Sequence, residues 1–192
     1  MCTQVFNALA DAICSCQRLA TNAKFVIVPG PNDVGNNFSL PRRGIPLKLV
    51  DGLMKRVSHV SIGSNPCRIK FFTQEIVIFR EDLIQKMQRH TAVAPNINEQ
   101  APEIAEQAVS VIIDQAHLCP LPFHARPIIW GLDHSLHLTP LPHLIVLGDR
   151  TTSKFEIDRS GSTVTNPGSF AVDSTFVVYR PATRDVEFSK IH

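Results

Sequence analysis

The sequence predicts an α/β fold in which sheets are flanked by helices and the C-terminal part is rich in strands. Three observations carry that expectation. Apolar residues recur at helical spacing in several segments, short fully apolar runs stand between Pro and Gly, and the last stretch alternates strand-like runs with turn residues. With 192 residues, 44% of them apolar, the chain is long enough for one sizeable core, so a single domain over 1–192 is expected.

Val5, Leu9, Ala12, Ile13, Cys16 and Leu19 fall at helical spacing and predict an amphipathic helix with one buried face, ended at Asn22. Residues 25–28 are fully apolar and run into Pro29-Gly30-Pro31, as expected of a strand buried on both faces. The loop at the carboxyl end of such a strand is where ligand groups usually sit, which directs attention to Gly30, Pro31, Asn32 and Asp33. Residues 47–57 predict a short helix, although Gly52 costs about 1 kcal/mol there relative to Ala. Residues 60–63 read as a strand before a turn at Asn65-Pro66, 68–73 and 75–80 as a hairpin, and Glu81 and Asp82 as the start of a helix to about Arg89. The stretch 91–102 is expected to be a surface loop and the main site of disorder. Ile104, Ala108, Val111, Ile112 and Gln115 place a helix over 103–116. The Pro-rich and His-rich stretch 117–142 reads as loop, with 127–130 as a short strand. Residues 144–147, 163–166, 175–179 and 185–188 complete the strands.

Lys and Arg number 19 against 17 Asp and Glu, so no chain-wide electrostatic footprint of a nucleic-acid binder is present. Five scattered cysteines (Cys2, Cys14, Cys16, Cys67, Cys119), with no cleavable signal before them, suggest free thiols in a reducing compartment. Cys14 and Cys16 are expected on different sides of the first helix, as core or half-buried thiols rather than a redox pair. No apolar run approaches the ~20 residues of a membrane span. His117, His124, His134, His137 and His143 lack paired cysteines to complete a zinc site, so His134 and His137 are expected at a loop surface. Asp33 is expected to cap its loop in preference to binding metal. Arg42, Arg43, Lys48, Lys55 and Arg56 are expected to be a solvated face. Trp130, Phe71 and Phe72 read either as core or as anchors for a partner.

Seven stretches then point further: Val28-Pro-Gly-Pro-Asn-Asp33, Ser64-Asn-Pro-Cys-Arg-Ile-Lys70, 73–83, His117-Leu-Cys-Pro-Leu-Pro122, Pro140-Leu-Pro142, Asn166-Pro-Gly-Ser-Phe170 and 185–191. In this order, over nearly the whole chain, they resemble the B-subunit family of DNA polymerase epsilon. The resemblance implies a calcineurin-like phosphoesterase sandwich that is catalytically inactive in eukaryotic members, of which this chain is the C-terminal portion. It also implies that an OB domain and the first half of the sandwich are absent here, leaving sheet edges and apolar faces uncovered and the chain poorly soluble alone.

Where active relatives carry Gly-Asn-His-Asp or Glu, this chain has Gly30-Pro31-Asn32-Asp33. Where they carry Gly-His-x-His, it has Gly148-Asp149-Arg150-Thr151. Of the implied ligands only His117, Asp33 and Asp149 remain, and losing several should abolish a two-metal mechanism. The expected function is therefore that of an accessory scaffold subunit in chromosomal replication and repair, with no metal, cofactor or catalytic residue. By the resemblance it sits in the nucleus, binds the cysteine-rich C-terminal domain of the epsilon catalytic subunit, and meets other replisome proteins and DNA through the complex. The alternatives are a metal-dependent phosphodiesterase or nuclease, and direct DNA binding.

Overall fold

Two helices and a pair of short parallel strands open the chain in the computed structural model, which describes residues 2–35, 38–92 and 103–191. Helices α1 (Cys2–Cys14) and α2 (Gln17–Asn22) precede β1 (Phe25–Ile27), and α3 (Leu47–Arg56) precedes β2 (Val60–Ile62), which pairs parallel with β1. Ala10, Ile13, Leu53 and Val57 are buried between α1 and α3, with Phe6, Phe25 and Ile27 packed against them. The expected single helix is thus two, because the chain turns at Ser15 and Cys16. Its buried stripe is Phe6, Ala10 and Ile13, the face that α3 covers, whereas Val5, Leu9 and Leu19 stay exposed. Cys14 and Cys16 flank the turn and are exposed, contrary to expectation. Nor is β1 buried on both faces: Phe25 and Ile27 face the helices while Val26 is exposed.

The organising element is a mixed five-stranded sheet. β3 (Cys67–Phe71) and β4 (Gln74–Phe79) form the expected antiparallel hairpin, followed by α4 (Ile84–Arg89), α5 (Ile104–Asp114) and a 3-10 segment, Trp130–Leu136. β5 (Leu144–Leu147), β6 (Phe155–Arg159) and β7 (Ser162–Asn166) complete it in the order β3-β4-β5-β7-β6, with β4, β5 and β7 parallel. Alternation along the strands sends Val77, Phe79, Ile145, Leu147 and Val164 into one core with Val109, Ile112 and Ile113 of α5. On the opposite face Ile76, Ile78, Leu144 and Val146 line an apolar groove of about 510 Å³.

The short helix α6 (Phe170–Asp173) leads to the antiparallel hairpin of β8 (Thr175–Arg180) and β9 (Asp185–Lys190), which closes one side of that groove. The Tyr179 hydroxyl, 3.0 Å from Gln74 Oε1, ties the hairpin to the start of β4. Residues 127–130 form no strand, since Leu40 meets that segment through a lone bridge in which Leu40 N donates to Pro127 O and Ile129 N to Leu40 O. Most of the loop expected over 91–102 lies outside the described residues. Among the described residues no helix is long and apolar enough to cross a membrane.

Candidate functional site

The loop after β1 is closed on itself. Asp33 Oδ2 accepts from Gly30 N at 2.6 Å, the turn geometry expected of Asp, and Arg80 Nη1 reaches the same oxygen at 3.3 Å while donating to Val28 O at 2.5 Å. The Arg80 side chain lies directly against Gly30, where a Cβ would stand 2.7 Å from its Nη2. It lies equally close to the second loop, because a Cβ on Gly148 would stand 3.0 Å from Arg80 Cγ. One arginine from the end of β4 therefore fills the space between Gly30 and Gly148. Asn65 fixes its backbone, with Nδ2 donating to Arg80 O at 2.6 Å and Oδ1 accepting from Arg80 N at 3.0 Å.

In the second loop Asp149 is fully buried and committed. Its Oδ2 accepts from the amides of Leu83 and Ile84, both at 2.8 Å, at the start of α4. Its Oδ1 accepts from Thr151 N at 2.7 Å and Thr151 Oγ1 at 2.6 Å. This cap explains why α4 begins at Ile84 rather than at Glu81 or Asp82. Asp82 instead pairs with Arg150 at 2.8 Å, and the Asn32 amide, oriented with its oxygen toward Arg150, accepts from Nη1 at 2.8 Å. Burial pushes the Asp82 carboxyl up, but hydrogen bonds and charge from Arg150, aided by Lys86, hold it below the usual carboxylate range. Residues 30–33 and 148–151 thus meet, and Arg80 and Arg150 join them.

His117 belongs to a different group. Its Nε2 lies 3.2 Å from Asp133 Oδ1 and His137 Nε2 lies 2.9 Å from Asp133 Oδ2, which places three potential metal ligands within 4.8 Å of one another. The backbone opposes a metal there. Cys119 N donates to His117 Nδ1 at 3.0 Å, so in neutral His117 the proton sits on Nε2 and is donated to Asp133, leaving that nitrogen no lone pair to offer. His143 is likewise occupied, accepting from Glu75 N at 3.0 Å, and His134 is exposed as expected.

A buried ionic cluster lies beside the first loop. The Glu81 side chain has no exposed surface and pairs with Arg42 at 2.5 Å, Lys86 at 2.6 Å and Arg126. Arg42, expected at a solvated face, is buried because the chain segment around residue 42 pairs with Asn65 through reciprocal backbone bonds. Phe38 covers the Arg126 guanidinium at 4.5 Å. Neither Glu81 nor Arg126 stands out in the sequence, since nothing in their local pattern distinguishes a buried ion from a surface one.

Trp130, Phe71 and Phe72 are exposed rather than core. Phe71 and Phe72 stack edge to face at 4.9 Å near the β3–β4 turn, and Trp130 meets Phe123 at 6.0 Å.

The family model for the B subunit of DNA polymerases alpha and epsilon matches residues 2–157. The DNA polymerase epsilon B subunit of Arabidopsis thaliana is 45% identical over 187 residues, covering 97% of this chain and 35% of that one. DNA polymerase epsilon subunit 2 of Homo sapiens is 37% identical over 186 residues, covering 96% and 34%. The chain thus spans about a third of the length of the curated relatives it matches. Among solved structures, TT1561 of Thermus thermophilus aligns with a TM-score of 0.45 and 12% identity, covering 98% of this chain and 79% of that one.

Proposed function

Given that this chain belongs to the B-subunit family of DNA polymerases alpha and epsilon, we propose that it serves as part of a non-catalytic accessory subunit of the DNA polymerase epsilon complex in chromosomal replication. In this reading residues 1–192 form part of an inactive phosphoesterase-like domain, in which Gly30, Pro31, Asn32, Asp33, His117, Gly148, Asp149 and Thr151 are the degenerate site positions. The partner is the catalytic subunit, through its cysteine-rich C-terminal domain, with other replisome proteins and DNA reached through the complex in the nucleus.

The observation that carries the reading is Arg80, whose side chain occupies the space between Gly30 and Gly148. A guanidinium there opposes any divalent ion electrostatically, and the nearby carboxylates already have partners, Asp33 with Gly30 N and Arg80, Asp149 with four donors. Nothing in this geometry favours the nuclease alternative.

The test is manganese-dependent hydrolysis of single-stranded DNA and of an aryl phosphodiester by the intact protein. The expected result is no turnover above a manganese-only control. Turnover that disappears in Asp33→Ala would replace the accessory reading with the enzymatic one.

A further inference from the structure

The ionic cluster beside Pro31 and Asn32 is charged unevenly, and the imbalance has a direction. Pro31, Asn32, Phe38, Arg42, Asp82, Lys86 and Arg126 enclose a pocket of about 320 Å³, roughly the liquid volume of ten waters. Of the carboxylates at this pocket, Asp82 is matched by Arg150, while Glu81 alone serves Arg42, Arg126 and Lys86. Two positive charges therefore stand in excess around it. The Arg42 and Arg126 side chains are 1% and 5% exposed; their Nη atoms donate to Glu81, Arg80 O and Phe38 O, and among the described residues the buried Nε of each has no hydrogen-bond partner. Buried guanidiniums with unfilled donors and too little counter-charge are costly unless an anion completes them.

We propose that this pocket binds a phosphate group in its dianionic form, either free phosphate or the terminal phosphate of a nucleic-acid strand, held by Lys86 in the field of the buried Arg42 and Arg126 without a metal ion. The excess of two charges selects the class. A terminal phosphate carries close to two negative charges at neutral pH, whereas an internal phosphodiester or a carboxylate carries one. Lys86, 28% exposed, brings a mobile point charge to such a group at the pocket edge, and Arg42 and Arg126, whose Nη donors are already committed, add the field of two buried cations behind it. None of these three cations lies in the loops 30–33 or 148–151, so the site is separate from the degenerate phosphoesterase positions even though Pro31 and Asn32 form one wall.

The test is isothermal titration of the intact protein at constant ionic strength with inorganic phosphate, with a 5′-phosphorylated oligonucleotide and with the same oligonucleotide lacking that phosphate. Saturable binding of phosphate, or stronger binding of the phosphorylated strand than of its unphosphorylated twin, is expected. Whichever of the two probes binds more tightly identifies the source of the group. Lys86→Gln, which removes the most exposed of the three cations and leaves the Glu81–arginine pairs in place, should weaken binding about tenfold, the loss of one charged hydrogen bond. Lowering the pH from 7.5 to 5 should weaken wild-type binding of the phosphorylated strand by about the same factor as its dianion is lost. Binding of phosphate no stronger than chloride together with equal binding of the two oligonucleotides, or indifference to both Lys86→Gln and pH, would overturn the proposal.

Discussion

Glu81 has no exposed side-chain surface and faces three cations. Substituting it with Gln keeps the shape but leaves Arg42 and Arg126 buried without a counter-charge. The expected loss is about 3–5 kcal/mol, readable as a lower midpoint in urea unfolding; a loss under about 1 kcal/mol would show that the cluster is solvated. Asp149→Ala removes four accepted hydrogen bonds, two of them at the start of α4, and should cost about 3 kcal/mol by the same measurement. Thiol reactivity divides the same way. Burial first, and then the charge of Glu81, push the Cys119 thiol up to about 12, and burial also raises Cys67. Iodoacetamide at pH 8 should label exposed Cys14 and Cys16 in the native protein and spare Cys67 and Cys119 until it is denatured. At this scale the sequence was legible where a residue acts on its immediate neighbours, as Asp33 does on Gly30. It was not legible where partners lie far along the chain, as Glu81 and Arg126 do, because burial of a charge is decided by tertiary packing.

Elements were legible in proportion to the strength of their periodicity. Helices α3 and α5, the β3–β4 hairpin and strands β5, β7, β8 and β9 stand close to where apolar spacing and turn residues place them. Strand β6 escaped because Phe155-Glu-Ile-Asp-Arg159 presents only two apolar residues; these pack on the core, and positive φ at both Ser160 and Gly161 forms the tight turn that pairs β6 with β7. Gly52, unfavourable in α3, has a local explanation, since a Cβ there would stand 2.2 Å from Asn7 Oδ1 on α1. In an Asn7→Ala background, Gly52→Ala should therefore stabilise by about 1 kcal/mol in urea unfolding, whereas destabilisation would mean that the two helices meet more tightly than described. The link between α4 and the second loop also has a pH signature. Because the folded Asp82 carboxyl titrates below its usual range, its pairing with Arg150 contributes stability above about pH 4, and that contribution is lost as pH falls through the depressed value. An Asp82→Asn variant should show a shallower loss of stability on acidification than the wild type.

Over the whole molecule, loop 30–33 after β1 and loop 148–151 after β5 of the five-stranded sheet lie side by side, and Arg80, Arg150 and the Glu81 cluster convert what lies between them into a set of ion pairs. The chain's net charge of +2 gave no hint of this, because the arginines are concentrated locally while the rest of the surface balances. Exposed Phe71, Phe72, Phe123 and Trp130 offer large aromatic surface of the kind that anchors a partner. The partner proposed above, the polymerase catalytic subunit, is the candidate to test against it. The most direct measurement is co-expression with the cysteine-rich C-terminal domain of a DNA polymerase epsilon catalytic subunit, followed by size-exclusion chromatography and metal analysis of the shared peak. A non-catalytic accessory role predicts a stable pair whose metal content equals that of the partner domain alone. Separate elution of the two even with the intact subunit, or additional metal bound by this chain, would contradict it.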